Sequence, residues 1–127
     1  MTGEAATGDI RVMLVEDHPD LRYLMEIVLG SQSDIKLVAQ AGSLLEARAH
    51  VAKFEFDVAV LDLGLPDGNG VELISDLRRA NPDVGVLILS ANLDTASLES
   101  AADADEIMDK LAPLDEVLGT VRRLGNA

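Results

Sequence analysis

The chain has 127 residues, and 48% of them are hydrophobic although it contains no Trp, one Tyr and two Phe. This length suits a single domain, and its core must be built from aliphatic side chains. With 23 acidic against 10 basic residues, the formal charge of −13 repels nucleic acid backbones and anionic membranes, so we expect the chain to bind neither directly. Because there is no Cys, disulfides, thiolate nucleophiles and Cys-based zinc sites are excluded.

The ends and the interior of the chain predict one domain. Residues 1–9 are small and polar, with neither a basic start nor an apolar run, so we interpret them as a flexible tail and not as a signal peptide. No apolar run approaches the ~18 residues that a membrane span needs, and we expect a cytoplasmic location. No repeat or low-complexity segment divides residues 10–125, which are predicted to form the domain.

The first predicted strand is Ile10–Val15, an apolar run that leads directly into Glu16, Asp17 and His18. His18 has no second well-placed His beside it, so we interpret it as a surface residue and not as a metal ligand. Pro19 suits the first turn of a helix that Gly30 ends. The predicted inward face of this helix, at positions i, i+3, i+4 and i+7, is Leu21, Leu24, Met25 and Val28.

The second strand, Ile35–Ala41, is predicted to be edge-like and carries no chemical group at its end. Ser43 and Glu46 have the spacing of a capping box, so a helix begins there. Residues 58–61 are an unbroken apolar run, typical of a strand covered on both faces, and it ends at Asp62. A turn at residues 66–70 follows.

After this turn, Asn69 is predicted to cap a helix that has Glu72 at its third position and stops before Pro82. Residues 84–89 form the next apolar strand, which ends at Ser90.

Residues 93–110 are rich in Ala, Asp and Glu, and on propensity alone they could form one long helix. The alternation of strands and helices instead favours a helix to about Ala102 and then a short strand around Ile107 and Met108 that ends at Lys110. A final helix starts at Pro113 and ends at Gly125.

Five strands that alternate with five helices through short connections predict right-handed crossovers and a parallel sheet, and therefore a doubly wound α/β domain. In the flavodoxin-like strand order 2-1-3-4-5, four strand ends lie side by side and the inert second strand lies at the edge. The four ends carry Glu16 and Asp17, Asp62, Ser90, and Lys110.

Carboxylates that converge at roughly 4 Å repel one another by about 4 kcal/mol per pair at an effective dielectric constant near 20. A divalent cation would relieve this repulsion, and ligands that are all oxygen favour Mg²⁺. A metal beside an aspartate nucleophile suits phosphoryl transfer, with Asp62 as the acceptor and with Lys110 and Ser90 holding phosphoryl oxygens. Movement of Ser90 would then displace the helix that follows it and change the surface that this helix forms.

Four segments carry a resemblance to a known family. They are LVEDHP at 14–19, VLDLGLPDGNG at 60–70, LILSA at 87–91 and IMDK at 107–110. Over residues 10–124 the chain resembles the receiver domain of bacterial two-component response regulators. DHP at 17–19 and SDIKLVAQAGS at 33–43 look most like receivers that precede a helix-turn-helix output domain.

The resemblance implies roles for individual residues. Asp62 would be the phospho-acceptor, Ser90 the switch hydroxyl and Lys110 the lysine that pairs with the phosphoryl group. The resemblance implies that Mg²⁺ is bound by Asp17, by Asp62 and by the backbone carbonyl of Gly64, with Glu16 acting largely through water.

The resemblance also implies partners and a mode of action. The phosphoryl donor would be a sensor histidine kinase or a phosphotransfer protein of a phosphorelay. The signal would pass to an output domain or partner protein through the surface of the fourth helix, fifth strand and fifth helix, in a monomer or a phosphorylation-dependent dimer. Such a domain is no enzyme beyond its own phosphorylation and autodephosphorylation.

Two positions depart from the family pattern. Ile107 stands where the family usually has an aromatic switch residue, and Leu111 stands where a proline usually follows the lysine. These departures leave open a receiver-like interaction module that never turns over phosphate. A Mg²⁺-dependent aspartyl phosphatase is a further alternative, but such an enzyme needs a second acid where this chain has Gly64.

Overall fold

A computed structural model describes residues 9–126, so the predicted tail, except for Asp9, lies outside the described residues. The five strands of the sheet are β1 (Ile10–Val15), β2 (Ile35–Ala41), β3 (Val58–Asp62), β4 (Gly85–Ser90) and β5 (Glu106–Asp109). The helices are α1 (Pro19–Gly30), α2 (Leu44–Lys53), α3 (Glu72–Ala80), α4 (Thr95–Ser100) and α5 (Leu114–Gly125). All strand pairs of this five-stranded sheet are parallel and their order is β2-β1-β3-β4-β5, which confirms the predicted doubly wound fold. Within residues 9–126, no helix combines the length and the apolar character that a bilayer span requires.

The sheet is buried on both faces, as the unbroken apolar runs of its central strands predict, and every residue of β3 and β4 is buried. Helices α1 and α5 cover one face, whose core includes Val12, Val58, Val60, Leu87, Met25, Leu29, Val117 and Val121. Helices α2 and α3 cover the other, whose core includes Met13, Ala59, Leu61, Ile88, Leu44, Leu73 and Leu77. Because both faces are covered, polar side chains can collect at the carboxyl ends of the strands.

The buried face of α1 differs from the prediction at two positions. Leu24 was expected to face inward, but 44% of its surface is exposed, whereas Leu29, outside the predicted set, is fully buried. Met25 and Leu29 are one helical turn apart and both pack on the sheet. Because Leu24 lies at the margin of the stripe that these residues define, a small rotation of the helix about its axis exposes it.

The segment before β5 is a short helix followed by a turn, and not the single long helix that propensity would allow. Helix α4 ends at Ser100, two residues earlier than predicted, and β5 begins at Glu106. The carboxylate of Asp105 accepts a hydrogen bond from the Val86 N–H at 2.8 Å, and the Asp105 N–H donates to the Val86 carbonyl at 2.9 Å. The guanidinium of Arg78 also contacts the Asp105 carboxylate, at 3.2 Å. Asp105 therefore stabilises the pairing of β5 with β4.

Asp105→Ala is expected to lower the free energy of unfolding by about 1–2 kcal/mol, because the N–H of Val86, which is fully buried, would lose its acceptor. Asp105→Asn keeps an acceptor oxygen and should lose less than half as much. Urea denaturation of the two variants beside the wild type measures the difference. Equal losses in both variants would show that the charge of Asp105, and not its hydrogen bond, holds the strand.

Candidate functional site

The strand order brings together side chains that are far apart in the sequence. The Nζ of Lys110, just after β5, lies 2.8 Å from an Asp62 carboxylate oxygen at the end of β3. The same Nζ lies 3.1 Å from a carboxylate oxygen of Glu16, which follows β1. Lys110 is 94 positions from Glu16 and 48 from Asp62, so only the order of the strands creates these contacts. Three of the predicted site residues therefore meet as the sequence analysis expects.

The acidic cluster contains more negative charge than Lys110 can balance. Glu16 is 3% exposed and Asp62 is 6% exposed, while Asp17 lies at the surface. Carboxylate oxygens of these three residues lie within 4.8 Å of one another. With three carboxylates and one ammonium, the cluster keeps a net negative charge, which is unfavourable where water is excluded. A set of oxygen donors at this spacing fits a hard divalent cation such as Mg²⁺.

Burial and charge shift the pKa values of Asp62 and Lys110. Burial raises the pKa of Asp62 to about 6; the hydrogen bond from Lys110 opposes this effect, and the charge of Glu16 adds to it. Burial lowers the pKa of Lys110, but hydrogen bonds to Asp62 and Glu16 outweigh it, so the net direction is upward. Burial is thus the largest cause at Asp62, which must also share one cation with a second acid, whereas the two acidic partners decide the direction at Lys110.

Backbone N–H groups orient the two buried acids. Glu16 accepts a hydrogen bond from the His18 N–H at 3.0 Å, and Asp62 accepts one from the Gly64 N–H at 3.2 Å. His18 itself is exposed, as predicted. Each acid is thus held by the loop that directly follows its own strand, which leaves the remaining oxygen atoms free to contact Lys110 or a ligand.

The loop after Asp62 is a small hairpin, made of Gly64–Leu65 and Gly68–Asn69 in antiparallel pairing. Gly68 has a φ of 152°, a conformation that residues with a Cβ rarely adopt. Gly70 is buried against the backbone of Asp62, and a Cβ there would collide with the Asp62 carbonyl oxygen. The two glycines allow the hairpin to fold back over the end of β3.

Asp67, at the tip of this hairpin, connects the site to α2. Its carboxylate accepts hydrogen bonds from the N–H groups of Leu44 and Leu45, at 2.8 and 3.0 Å. These are free N–H groups of the first turn of α2, and they lower the pKa of Asp67. The sequence predicts Asp67 only as a turn residue, because its partners lie more than 20 positions earlier in the chain.

The start of α3 differs from the prediction. The helix begins at Glu72, and Val71, not Asn69, is its N-cap residue. Asn69 instead accepts a hydrogen bond from the Val71 N–H at 2.9 Å, and Glu72 accepts one from the Asn69 N–H at 3.0 Å. These two bonds resemble those of a capping box. Because Gly70 lies close to the Asp62 backbone, however, the first helical residue is Glu72, which is later than a cap at Asn69 predicts.

Ser90 is buried and lines the same cavity as Asp62, but its hydroxyl is bonded to its own loop. The hydroxyl donates to the Asn92 carbonyl at 2.9 Å and accepts from the Asn92 N–H at 3.1 Å. The cavity has a volume of about 460 Å³, and its walls include Asp17, Asp62, Gly64, Ser90, Asn92 and Lys110. Asn92 was not among the predicted residues, although its position two residues after Ser90 places it in the same loop.

Comparison with known proteins connects this geometry to one family. The model of the response regulator receiver domain matches residues 12–122. Over 92 residues the chain is 44% identical to the DNA-binding transcriptional activator DevR/DosR of Mycobacterium tuberculosis. That match covers 72% of this chain and 42% of the relative, so the chain spans less than half of that protein's length.

Two solved structures share the fold over nearly the whole chain. The response regulator domain of Thermotoga maritima CheB has a TM-score of 0.82 and 25% identity, and the match covers 93% of this chain and 97% of that chain. Response regulator protein TrrA from the same organism, in complex with Mg²⁺ and BeF, has a TM-score of 0.78 and 27% identity, with coverages of 91% and 98%. With the family match and the strand-end cluster, these findings show that the chain belongs to the receiver domain family of two-component response regulators.

Proposed function

We propose that Asp62 accepts a phosphoryl group from a histidine kinase or a phosphotransfer protein, and that residues 10–125 form the domain that responds. The observation that carries this proposal is the Asp62 carboxylate, 6% exposed and 2.8 Å from Lys110, in the wall of a cavity of about 460 Å³. Burial limits the access of water to the acceptor, and the lysine supplies a positive charge beside it. A regulatory receiver needs both features.

In the transfer step, one Asp62 carboxylate oxygen attacks phosphorus and forms an O–P bond. The bond from phosphorus to the imidazole nitrogen of the donor histidine breaks, and its electron pair stays on that nitrogen. Lys110 and the hydroxyl of Ser90 then neutralise and bind two phosphoryl oxygens. The lysine already lies 2.8 Å from the acceptor, so it needs only a short movement to follow the new charge.

The residues that would hold Mg²⁺ are Glu16, Asp17 and Asp62, together with the backbone carbonyl of Gly64. The three carboxylates lie within 4.8 Å of one another, which fits one small cation, and Gly64 lines the same cavity. When bound, the cation would neutralise charge on the phosphoryl oxygens. Glu16, the more deeply buried of the two acids that follow β1, would act mainly through water and through Lys110.

The output of the switch would pass through α4. Binding of a phosphoryl oxygen by the Ser90 hydroxyl requires that hydroxyl to leave the Asn92 carbonyl, which changes the loop before α4. Helix α4 has six residues and none of them is buried, so moving it costs little packing. Ile107 packs against the core beside α2 and α3, and it cannot swing a ring as an aromatic residue would. The surface of α4, β5 and α5 would therefore change through the backbone.

Receiver domains interact with histidine kinases and output domains, and one relative of this chain, DevR/DosR, is a DNA-binding transcriptional activator. For this chain we infer a helix-turn-helix output domain or a separate partner protein, in a monomer or a phosphorylation-dependent dimer. A kinase that uses cytoplasmic ATP would be the source of the phosphoryl group, which implies the cytoplasm as the location. The domain would catalyse only its own phosphorylation and dephosphorylation.

Intact mass spectrometry tests this function. The protein is incubated with Mg²⁺ and acetyl phosphate, quenched in acid, and mapped by peptide fragmentation. We expect one phosphoryl adduct, located at Asp62 and absent in EDTA. No adduct would favour the interaction module without phosphate turnover. Continuous release of phosphate, without an adduct that persists, would favour the aspartyl phosphatase, which Gly64 makes a weaker candidate because it provides no second acid.

Mg²⁺ is expected to stabilise the protein through the acidic cluster. At ten times its dissociation constant, the ion should raise the free energy of unfolding by about 1.4 kcal/mol. Asp17→Asn should remove most of this gain, whereas Asp20→Asn, at an exposed acid in the first turn of α1, should keep it. Urea denaturation with Mg²⁺ or EDTA measures both effects. An equal gain in the two variants would place the ion elsewhere.

A further inference from the structure

We propose that Asp109 is a positioning residue for Lys110: its side chain accepts the N–H of Leu111 and so holds the backbone from which the lysine reaches Asp62. The inference rests on the proposed role of Lys110 as the phosphate-pairing lysine. Asp109 is the last residue of β5 and precedes Lys110 directly. Its carboxylate oxygen lies 2.7 Å from the Leu111 nitrogen.

The three consecutive backbone N–H groups around the lysine all have acceptors. The N–H of Lys110 donates to the Ser90 carbonyl at 3.0 Å, which continues the pairing of β5 with β4. The N–H groups of Leu111 and Ala112 both donate to Asp109, one to its side chain at 2.7 Å and one to its carbonyl at 3.0 Å. Asp109 therefore closes the turn that contains Lys110 with two hydrogen bonds.

Packing of Leu111 cannot hold this turn. Leu111 is 91% exposed, so its side chain contributes almost no contact with the core. A proline at this position, which the family usually has, would restrict the backbone through its ring and would bring no N–H. Leucine has a free φ and an N–H that can donate, and Asp109 accepts from this N–H. The carboxylate thus provides by a hydrogen bond the restriction that a ring would provide covalently.

The position of Asp109 in the sheet gives this turn a second connection to the site. Asp109 lies beside Ser90 in the parallel register of β4 and β5. The lysine side chain extends from this turn into the site, where its Nζ lies 2.8 Å from an Asp62 carboxylate oxygen and 3.1 Å from one of Glu16. A loosened turn would let the ammonium leave these partners, because a hydrogen bond weakens when its donor–acceptor distance grows by a few tenths of an ångström.

The test uses Mg²⁺ with beryllofluoride, a mimic of the phosphoryl group, and measures its affinity by titration calorimetry. Asp109→Ala is expected to weaken binding by about three- to tenfold, the loss expected of one hydrogen bond. Asp109→Asn keeps the acceptor oxygen and should bind within about twofold of the wild type. Asp83→Ala, which removes an exposed acid at the opposite end of the sheet, is the control for net charge.

A ¹⁹F NMR spectrum of the adduct distinguishes positioning from general loosening. If Asp109 acts on the lysine, one of the fluorine signals moves in Asp109→Ala and returns in Asp109→Asn, while the others stay. Wild-type affinity in Asp109→Ala, or equal weakening in Asp109→Ala and Asp109→Asn, overturns the inference. Failure of the wild type to form the adduct, or an adduct in Asp62→Asn equal to that of the wild type, overturns the proposed function instead.

Discussion

Asp62→Asn is expected to abolish the phosphoryl adduct and, in the same variant, to stabilise the Mg²⁺-free protein by about 1–2 kcal/mol at pH 7.5. The amide has nearly the size of the carboxylate but no nucleophilic oxygen, so the acceptor is lost without a cavity. The stabilisation arises because Asp62 is 6% exposed and lies close to the Glu16 carboxylate. Removing its charge relieves both desolvation and repulsion.

The sign of this effect follows from the raised pKa of Asp62. The pKa is about 6 in the folded chain against an ordinary value of 3.8, so between these values the folded state binds more protons than the unfolded state. Stability therefore falls as the pH rises from about 4 to about 6. The pKa difference sets an upper limit of about 3 kcal/mol, and the loss of a partner for Lys110 reduces it to the expected range.

Urea denaturation in EDTA at pH 4 and at pH 7.5 measures this prediction. The gain of Asp62→Asn over the wild type should be present at the higher pH and nearly absent at the lower one. Asp83→Asn, at an exposed acid far from the site, should change little at either pH. A variant that is no more stable than the wild type at pH 7.5 would show that Lys110 fully compensates the charge of Asp62.

Lys110→Met is expected to lower the free energy of unfolding by about 2–3 kcal/mol at pH 7.5 without Mg²⁺, because two buried carboxylates lose their cation. Methionine keeps most of the aliphatic stem, so the change isolates the charge. Removing one partner of a fully buried ion pair costs about 3–5 kcal/mol, but here the acids can take up a proton, which reduces the loss. The Lys110 side chain is 17% exposed, against 4% for Glu16 and 7% for Asp62.

Two further measurements test the origin of this loss. Mg²⁺ should restore most of the stability of Lys110→Met, because a cation in the acidic cluster replaces the missing ammonium. Asp62→Asn should stabilise Lys110→Met by more than it stabilises the wild type, since without the lysine the Asp62 charge has no cation beside it. Lys36→Met, at an exposed lysine of β2, should lose little. A gain from Asp62→Asn that is equal with and without Lys110 would contradict the shared-charge explanation.

Much of the fold followed from local patterns. The apolar runs of β1, β3 and β4 predicted buried parallel strands, and each of these strands ends at or directly before a polar residue of the site, Glu16, Asp62 or Ser90. The fifth strand was harder to predict, because its residues favour a helix and because its anchor, Asp105, contacts Val86, 19 positions earlier. The prediction of the inward face of α1 was partly wrong for a related reason. Leu24 and Leu29 have the same chemistry, and only the packing of the helix on the sheet decides which is buried.

The residue types of the site and the strand ends that carry them could be predicted from the sequence, because hydrophobic periodicity and motif spacing are local properties. The order of the strands followed from the doubly wound fold type, in which the second strand, with its inert end, lies at the edge. The tertiary structure decided which acid shares Lys110, how deeply Asp62 is buried and which carboxylates hold the loops, as Asp67 holds α2 and Asp109 holds the turn at Leu111. Distances of 2.7 to 3.1 Å depend on the relative placement of whole strands and helices. The pKa of Asp62 depends on that placement as well, because water access and neighbouring charge are properties of the assembled chain.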